Sequence, residues 1–281
     1  RQRSTSPGST SSSRLCPAPE GPVRRRVGHE DYELRDEGRT QLRREATWLE
    51  AAGLASVAEA FAHPGEPRGE IKSLVRLVGP SGPVFVKRYQ FRPLSVRLRG
   101  ALKLNPPIYS GPRELENLLD LASAGFRVPL PLAAGEDQAR GLRRSFVALA
   151  NLEGQPLSEF PPPSEPALRR SLLDRIALLA RRLHAEGFWH RDFYACNLFW
   201  EPGLGLGLLD CERVGRRAGG APQRWRIKDL AALDYSLEWP SERERLSALR
   251  RYLGPEGDLR RWSRLVRRKA KRIRDHGKKG P

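Results

Sequence analysis

The chain has 281 residues, of which 38% are hydrophobic, and it contains 51 Lys and Arg against 33 Asp and Glu, a net charge of +18. This composition can form a hydrophobic core and excludes a wholly disordered chain, and no stretch approaches the roughly 18 consecutive apolar residues of a membrane-spanning helix. Three cysteines are too few for a secreted disulfide scaffold, which favours a soluble protein of a reducing compartment.

The first 27 residues are rich in Ser, Pro, Gly and Arg and show no hydrophobic period. Such a composition predicts a disordered tail over residues 1–27.

Residues 28–150 carry the strand signals. The segments 71–78 and 83–89 alternate β-branched and polar residues and are joined by Gly-Pro-Ser-Gly, which predicts a hairpin. Residues 113–124 are predicted to form a helix and residues 145–150 another strand. The buried stripe of that helix is expected to contain Leu115, Leu118, Leu119 and Ala122.

Residues 151–254 carry mostly helical signals. Between Pro166 and Gly187, apolar residues recur at steps of three and four, as on the buried face of a helix: Leu168, Leu172, Ile176, Leu179 and Leu183. Ser241 and Glu244 have the spacing of a capping box for a helix that ends near Gly254.

Residues 255–281 are predicted to form a basic amphipathic helix. Its apolar side contains Trp262, Leu265, Val266 and Ile273, and the last 41 residues of the chain hold 15 basic against five acidic residues. One interpretation is an interfacial helix held on anionic lipid. The alternative is a terminal helix that packs its apolar side on the rest of the protein.

The strongest motif is His-Arg-Asp-Phe-Tyr-Ala-Cys-Asn at residues 190–197, which matches the H-R-D-x-x-x-x-N catalytic loop of protein kinases. In that chemistry Asp192 accepts the proton of an attacking hydroxyl group, and Asn197 binds a metal ion on the ATP phosphates. Asp210 ends an apolar strand 13 residues later and stands where the second metal ligand belongs.

Upstream, Val-Phe-Val-Lys at residues 84–87 is similar to the kinase lysine strand, so Lys87 is predicted to neutralise phosphates. Glu114, with Glu116 as the alternative, would orient that lysine. Gly65 and Gly69 are only a weak substitute for a glycine-rich phosphate loop.

Several departures favour an acceptor smaller than a protein. Tyr194 stands where serine/threonine kinases place Lys, and Cys211 and Glu212 replace Phe-Gly after Asp210. Only 18 residues separate Asp210 from Asp229, too few for a long peptide-binding activation segment. Zinc is not expected because the cysteines lack the spacing of a two-ligand pair.

Together these elements predict an α+β, bilobal protein-kinase-like fold. A small antiparallel-sheet N-lobe would occupy residues 28–150 and a larger helical C-lobe residues 151–254, followed by the basic helix at 255–281.

The chain resembles the lipopolysaccharide kinase family, bacterial enzymes that phosphorylate inner-core heptose or Kdo. The H-R-D-x-Y block at residues 190–194 and the R-W-R-x-K-D-L block at residues 224–230 are specific to that family. The resemblance covers about residues 70–240. Its other matching stretches are residues 86–89, 113–115, 124–129 and 209–210.

The resemblance implies transfer of the ATP γ-phosphate, with Mg²⁺, to a sugar hydroxyl of the lipid A–core lipopolysaccharide acceptor. It implies a cytoplasmic enzyme, peripheral on the inner face of the cytoplasmic membrane and in contact with its anionic surface, with no nucleic-acid partner. Arg92, Arg97, Arg99 and Lys103 would suit an acceptor that carries phosphates and carboxylates.

The resemblance also implies a role for each motif residue. Asp192 would be the catalytic base, and Asn197 and Asp210 the metal ligands. The ATP-binding residues would be Lys87, Glu114 and the hinge residues Leu149 and Asn151. His190, Arg191 and Asp229 would give structural support to the loop.

Two other functions remain open. One is a kinase-like phosphotransferase acting on a protein or another small molecule, against which the missing lysine at Tyr194 counts. The other is a catalytically silent kinase fold that serves as a membrane or nucleic-acid adaptor, against which the presence of Lys87, Asp192, Asn197 and Asp210 counts.

Overall fold

A computed structural model describes residues 24–27, 30–35, 39–43, 46–68, 71–92, 110–139 and 141–277. Most of the tail predicted at residues 1–27 lies outside this range. So do Gly69 and three of the basic residues assigned to the acceptor, Arg97, Arg99 and Lys103.

The first half of the chain forms an antiparallel sheet. In the described ranges it has eight strands in the order β1-β2-β3-β7-β8-β6-β5-β4. The strands are β1 (Arg24–Val27), β2 (Glu30–Arg35), β3 (Thr40–Arg43), β4 (Glu66–Arg68), β5 (Lys72–Gly79), β6 (Gly82–Phe91), β7 (Pro131–Ala139) and β8 (Leu142–Ala150).

Helices dominate the second half. Within the described ranges the helices are α1 (Trp48–Ala51), α2 (Val57–Ala62), α3 (Gly111–Ser123), α4 (Pro166–Ala185), α5 (Gln223–Ser236), α6 (Glu242–Leu253) and α7 (Leu259–Gly277). Short strands lie between α4 and α5 and just before α4: β9 (Gln155–Pro156), β10 (Phe188–Trp189), β11 (Leu198–Glu201), β12 (Gly205–Leu208) and β13 (Gly215–Arg216). The described residues thus form a mixed α/β structure consistent with a kinase-like fold.

The predicted hairpin is confirmed. Strands β5 and β6 pair in antiparallel register, with Val75 opposite Val86 and Leu74 opposite Lys87. The turn has the glycines that the sequence suggested, and Gly82 adopts a φ of 120°, which a residue with a side chain rarely adopts.

The predicted tail is wrong at its C-terminal end. Residues Arg24–Val27 form strand β1, which pairs with β2 so that Arg24 lies opposite Glu33 and Arg26 opposite Asp31. Pairing with β2 places these residues in a strand, which the local composition did not predict.

The two faces of the sheet pack against different helices. Val84, Val86 and Phe146 belong to a core shared with α1 and α2, whereas Val147 and Leu149 belong to the core of α3 and the later helices. Because side chains alternate along a strand, Lys87 lies on the α3 face of β6, between two residues that face α1 and α2.

Two helical predictions need correction. In α3, Leu115, Leu118 and Leu119 are buried as predicted, but Ala122 is exposed and Leu121 is buried in its place. This shift occurs because the last turn of α3 faces the following segment, where Phe126 is buried in the same core. In α4, Leu172 and Ile176 are buried, whereas Leu168 in the first turn is exposed.

The capping box lies at Ser241 and Glu244 as predicted, and a terminal helix, α7, lies within the range predicted for it. The Ser241 hydroxyl accepts from the Glu244 main chain, the Glu244 carboxylate accepts from the Ser241 main chain, and α6 ends at Gly254. Helix α7 packs on α5 and α6, with Val266 and Ala270 buried and Trp262 half-buried. Its apolar side therefore contacts protein, as the second of the two interpretations predicted.

No helix within the described ranges has both the length and the apolar character needed to cross a bilayer.

Candidate active site

Lys87 joins the sheet to two acidic residues from distant segments. Its Nζ lies 2.7 Å from Glu114 Oε1 on α3 and 2.9 Å from Asp210 Oδ1, which follows β12. The Glu114 side chain is fully buried and that of Lys87 is 20% exposed. Glu114, and not the alternative Glu116, is therefore the partner of the lysine.

The charges in this triad stabilise each other. Burial alone lowers the pKa of Lys87, but the ion pairs with Glu114 and Asp210 outweigh burial and raise that pKa overall. Burial acts to raise the pKa of Asp210, and Lys87 more than offsets this, so the pKa of Asp210 is lowered. Lys87 is thus held as a cation and Asp210 as an anion.

A second buried network adjoins the first. The Glu212 carboxylate accepts a 2.7 Å hydrogen bond from the Tyr89 hydroxyl and forms a 2.7 Å ion pair with Lys72. The Tyr89 hydroxyl also lies 3.2 Å from the Glu114 carboxylate. The segment after Asp210 is therefore attached to the β5–β6 hairpin and, through Tyr89, to the first network.

The catalytic-loop motif is held in place by Asp229 on α5. Its carboxylate accepts hydrogen bonds from the main-chain N–H groups of His190 and Arg191, at 2.7 and 2.8 Å, and lies 3.2 Å from His184 Nε2. Arg191 adopts a φ of 71°, uncommon for a residue with a side chain, and these bonds hold that conformation.

His190 connects the loop to the strand that precedes Asp210. Its Nε2 lies 3.0 Å from the Leu209 carbonyl oxygen, so Nε2 carries the proton and donates. Burial lowers the pKa of His190, which keeps the ring neutral. The ring thus connects the catalytic-loop motif to the main chain just before Asp210.

Asp192 lies at the centre of a cationic cluster. Arg213 Nη1 donates to both oxygens of its carboxylate, at 3.0 and 2.9 Å, and Lys228 Nζ lies 3.5 Å from Oδ1. The Lys228 ammonium also donates to the Arg191 carbonyl oxygen.

The side chain of Asn197 is oriented by its amide nitrogen. Nδ2 donates a 2.8 Å hydrogen bond to the Asp192 carbonyl oxygen, which directs Oδ1 the other way, and the Asn197 carbonyl oxygen accepts from Leu209 N–H. An amide oxygen and the Asp210 carboxylate suit Mg²⁺, which takes few protein ligands when phosphates and water complete its shell. Within the ranges described, no three His, Cys, Asp or Glu side chains form a metal cluster.

The residues predicted to form the hinge lie at the end of β8. Leu149 on β8 is buried and pairs with Phe85 on β6, the strand that carries Lys87. Asn151 donates its main-chain N–H to the Pro83 carbonyl oxygen at 3.0 Å. Since strand pairing uses this group, Asn151 N–H is not free to donate to a base.

Sequence reasoning missed the roles of Lys72, Glu212, Arg213 and Lys228. Lys228 stands in the block at residues 224–230 that was singled out, and Glu212 was noted only as a departure from Phe-Gly. The position of Glu212, a second carboxylate two residues after Asp210, is the one signal that could have suggested a buried partner for it.

Comparisons with known proteins agree on one family. A family model described as "Lipopolysaccharide kinase (Kdo/WaaP) family" matches residues 101–252. Lipopolysaccharide core heptose(I) kinase WaaP of Escherichia coli K12 is 26% identical over 63% of this chain and 74% of its own length.

Two further relatives are similar over shorter regions. Lipopolysaccharide core heptose(I) kinase WaaP of Pseudomonas aeruginosa is 31% identical over 46% of this chain and 53% of its own length. The 3-deoxy-D-manno-octulosonic acid kinase of Xylella fastidiosa is 29% identical over 44% of this chain and 48% of its own length. The chain therefore spans from about half to three quarters of the curated relatives that it matches.

Proposed function

The chain belongs to the Kdo/WaaP lipopolysaccharide kinase family, and from that premise we propose that it transfers the γ-phosphate of ATP to a heptose or Kdo hydroxyl of the lipopolysaccharide inner core. Family membership makes it a phosphotransferase that acts on a sugar hydroxyl. The proposal adds three points to family membership: ATP as the phosphate donor, Mg²⁺ as the cofactor and the lipid A–core as the acceptor.

The observation that carries the proposal is the position of Lys87. This lysine bridges Glu114 and Asp210, and Asp210 is joined through Leu209 to the loop of Asp192 and Asn197. A fixed cation next to a metal-ligand carboxylate is what phosphoryl transfer needs, because its catalysis depends on positioning and charge neutralisation.

Each residue then has a defined task. Lys87 neutralises nonbridging phosphate oxygens, and Glu114 keeps its ammonium directed at them. Asp192 accepts the proton of the sugar hydroxyl as that oxygen attacks phosphorus. Asn197 and Asp210 would hold Mg²⁺, which when bound neutralises charge on the phosphates of ATP.

The nucleotide would lie between the α3 face of the sheet and the catalytic loop. The sheet and the helices would then be two lobes on either side of a nucleotide-binding cleft. Leu149 lies on this face and would pack near the base. The enzyme would work on the cytoplasmic side of the inner membrane. It would bind there peripherally and act on an acceptor that is anchored by lipid A.

The test is transfer of labelled phosphate from ATP, with Mg²⁺, to dephosphorylated core lipopolysaccharide. Asp192→Asn and Asp210→Asn should each abolish label on the sugar core. Asp120→Asn, the same chemical change at an exposed position of α3, should not. Transfer that persists in Asp192→Asn would contradict the assigned base.

The other outcomes identify the alternatives. Binding of ATP without transfer to the core would move the proposal to another acceptor, a protein or a small molecule. Absence of ATP binding in the folded wild type would favour a catalytically silent adaptor.

A further inference from the structure

Two cations outside the catalytic-loop motif hold the carboxylate of Asp192. Arg213 comes from the 3-10 turn Cys211–Arg213, and Lys228 comes from α5. Protein kinases place a lysine two residues after the loop aspartate, where this chain has Tyr194. Arg213 and Lys228 therefore bring positive charge to Asp192 that the loop itself lacks.

Arg213 has unused hydrogen-bonding capacity. A guanidinium group carries five N–H donors on three nitrogens, and only Nη1 contacts Asp192. Among the described residues, Nε and Nη2 of Arg213 have no hydrogen-bond partner. Because 30% of the side chain is exposed, these donors can reach a bound molecule.

The neighbouring charges are also unbalanced. Arg191 forms no ion pair with any described carboxylate; its guanidinium lies over the Trp225 ring at 4.9 Å, and its buried Nε has no partner. The Asp229 carboxylate is used by the main chain of the loop and by His184. Burial lowers the pKa of Lys228; Asp192 opposes this and the charge of Arg213 adds to it. Arg213 and Lys228 thus share the single carboxylate of Asp192, and Arg191 next to it has no carboxylate partner among the described residues.

We propose that Arg213 and Lys228 form a binding site for a carboxylate of the acceptor, next to the hydroxyl that Asp192 deprotonates. The inference rests on the proposed function and requires that the acceptor present a carboxylate beside the reacting hydroxyl. The site already accommodates one carboxylate, that of Asp192. A hydroxyl that approaches Asp192 must displace part of the contact with Arg213, and a second carboxylate gives the guanidinium a replacement partner, so no buried charge is left unpaired.

The γ-phosphate of ATP offers the same anionic oxygen chemistry, and kinetics separates the two sources. A site for the acceptor carboxylate affects the KM for the acceptor. A site for the γ-phosphate affects the KM for ATP, or kcat alone.

The experiment compares two acceptors: dephosphorylated core lipopolysaccharide, and the same material with its carboxyl groups converted to neutral methylamides. The wild type should show a KM at least about tenfold higher for the amidated acceptor, the size expected for loss of a charge-assisted contact. Arg213→Gln should show similar KM values for both acceptors and an unchanged KM for ATP. Arg213→Lys should keep part of the discrimination. Measurable turnover by Arg213→Gln shows that this variant also folds.

The matched control is Arg217→Gln, which removes the same charge from an exposed position four residues away and should behave like the wild type. Equal KM values for both acceptors in the wild type would overturn this inference and leave the proposed function standing. The inference would also be overturned if Arg213→Gln discriminated between the two acceptors as strongly as the wild type. A raised KM for ATP in Arg213→Gln would overturn it as well. Failure of the wild type to phosphorylate either acceptor would instead refute the proposed function.

Discussion

The Tyr89 hydroxyl donates a 2.7 Å hydrogen bond to the carboxylate of Glu212, a residue 123 positions later in the chain. Glu212 also pairs with Lys72, and Asn117 on α3 donates to the Cys211 carbonyl oxygen at 2.8 Å. The segment that follows Asp210 is therefore attached to the hairpin and to α3. These contacts fix Asp210 relative to Lys87.

Removal of the Tyr89 hydroxyl tests this attachment. Tyr89→Phe leaves the buried Glu212 carboxylate with one partner fewer, so the free energy of unfolding should fall by about 1–3 kcal/mol. The Mg²⁺ concentration needed for half-maximal activity should rise, because Asp210 is less firmly placed. Urea denaturation and Mg²⁺ titration of activity measure the two effects. Tyr235→Phe, a half-buried tyrosine on α5, is the control; an equal effect in that variant would contradict the assignment.

Variants of Lys87 and Glu114 are expected to affect the stability of the protein and its activity differently. Lys87→Met leaves the Glu114 carboxylate buried without its cation, which should cost about 3–5 kcal/mol of stability. The double variant Lys87→Met/Glu114→Gln should recover much of that loss, because the fully buried charge of Glu114 is removed and the Asp210 carboxylate, which also loses its cation, is 35% exposed. It should remain at least about 100-fold less active than the wild type, since the phosphates lose their cation. Recovery of activity together with stability would show that Lys87 is only structural.

The local parts of this structure were predictable from sequence, because their signals lie within a few residues of each other. The β5–β6 hairpin follows from alternation and a glycine turn, and the start of α6 follows from Ser241 and Glu244. The grouping of Lys87 with Asp210 could be predicted only because the spacing of known kinase motifs carries long-range information.

Contacts without such a motif were not predictable. Lys72 and Glu212 are 140 residues apart, and neither periodicity nor composition relates them. Arg213 and Asp192 meet because the 3-10 turn after Asp210 returns toward the catalytic loop, a path set by tertiary packing. The Asn151 N–H group likewise donates to the Pro83 carbonyl oxygen because strand pairing continues past the end of β8.

The lowered pKa of Asp210 predicts how stability depends on acid. A carboxyl group with a lower pKa in the folded state stabilises the fold at pH values above its unfolded pKa of about 3.9, and this contribution is lost as pH falls through the folded pKa. The stability difference between wild type and Asp210→Asn should therefore be constant from about pH 5 to 8 and change below about pH 4. Urea denaturation across this range measures it. A difference that changes mainly between pH 6 and 8 would show that another group governs it.

The packing of α7 predicts how the protein would bind an anionic membrane. Val266 and Ala270 are buried against α5 and α6, whereas Arg264, Arg268 and Lys271 recur at helical spacing on the exposed side. Binding to vesicles that contain phosphatidylglycerol should therefore depend on charge, weaken with salt, and fall in the triple variant Arg264→Gln/Arg268→Gln/Lys271→Gln. Removal of three charges near the surface should cost on the order of 3 kcal/mol of binding, roughly 100-fold in affinity.

The same arrangement predicts that the apolar side of α7 contributes to folding and not to lipid binding. Val266→Ala should lower the free energy of unfolding by about 1–2 kcal/mol, since it leaves a small cavity between helices, and should not change vesicle affinity. Vesicle sedimentation at two salt concentrations, together with urea denaturation, measures both quantities for both variants. Weaker vesicle binding by Val266→Ala with the triple variant unaffected would mean that α7 leaves the protein and inserts its apolar side into the bilayer. That result would require the contacts of α7 with α5 and α6 to open at the membrane, and it would restore the interfacial-helix interpretation.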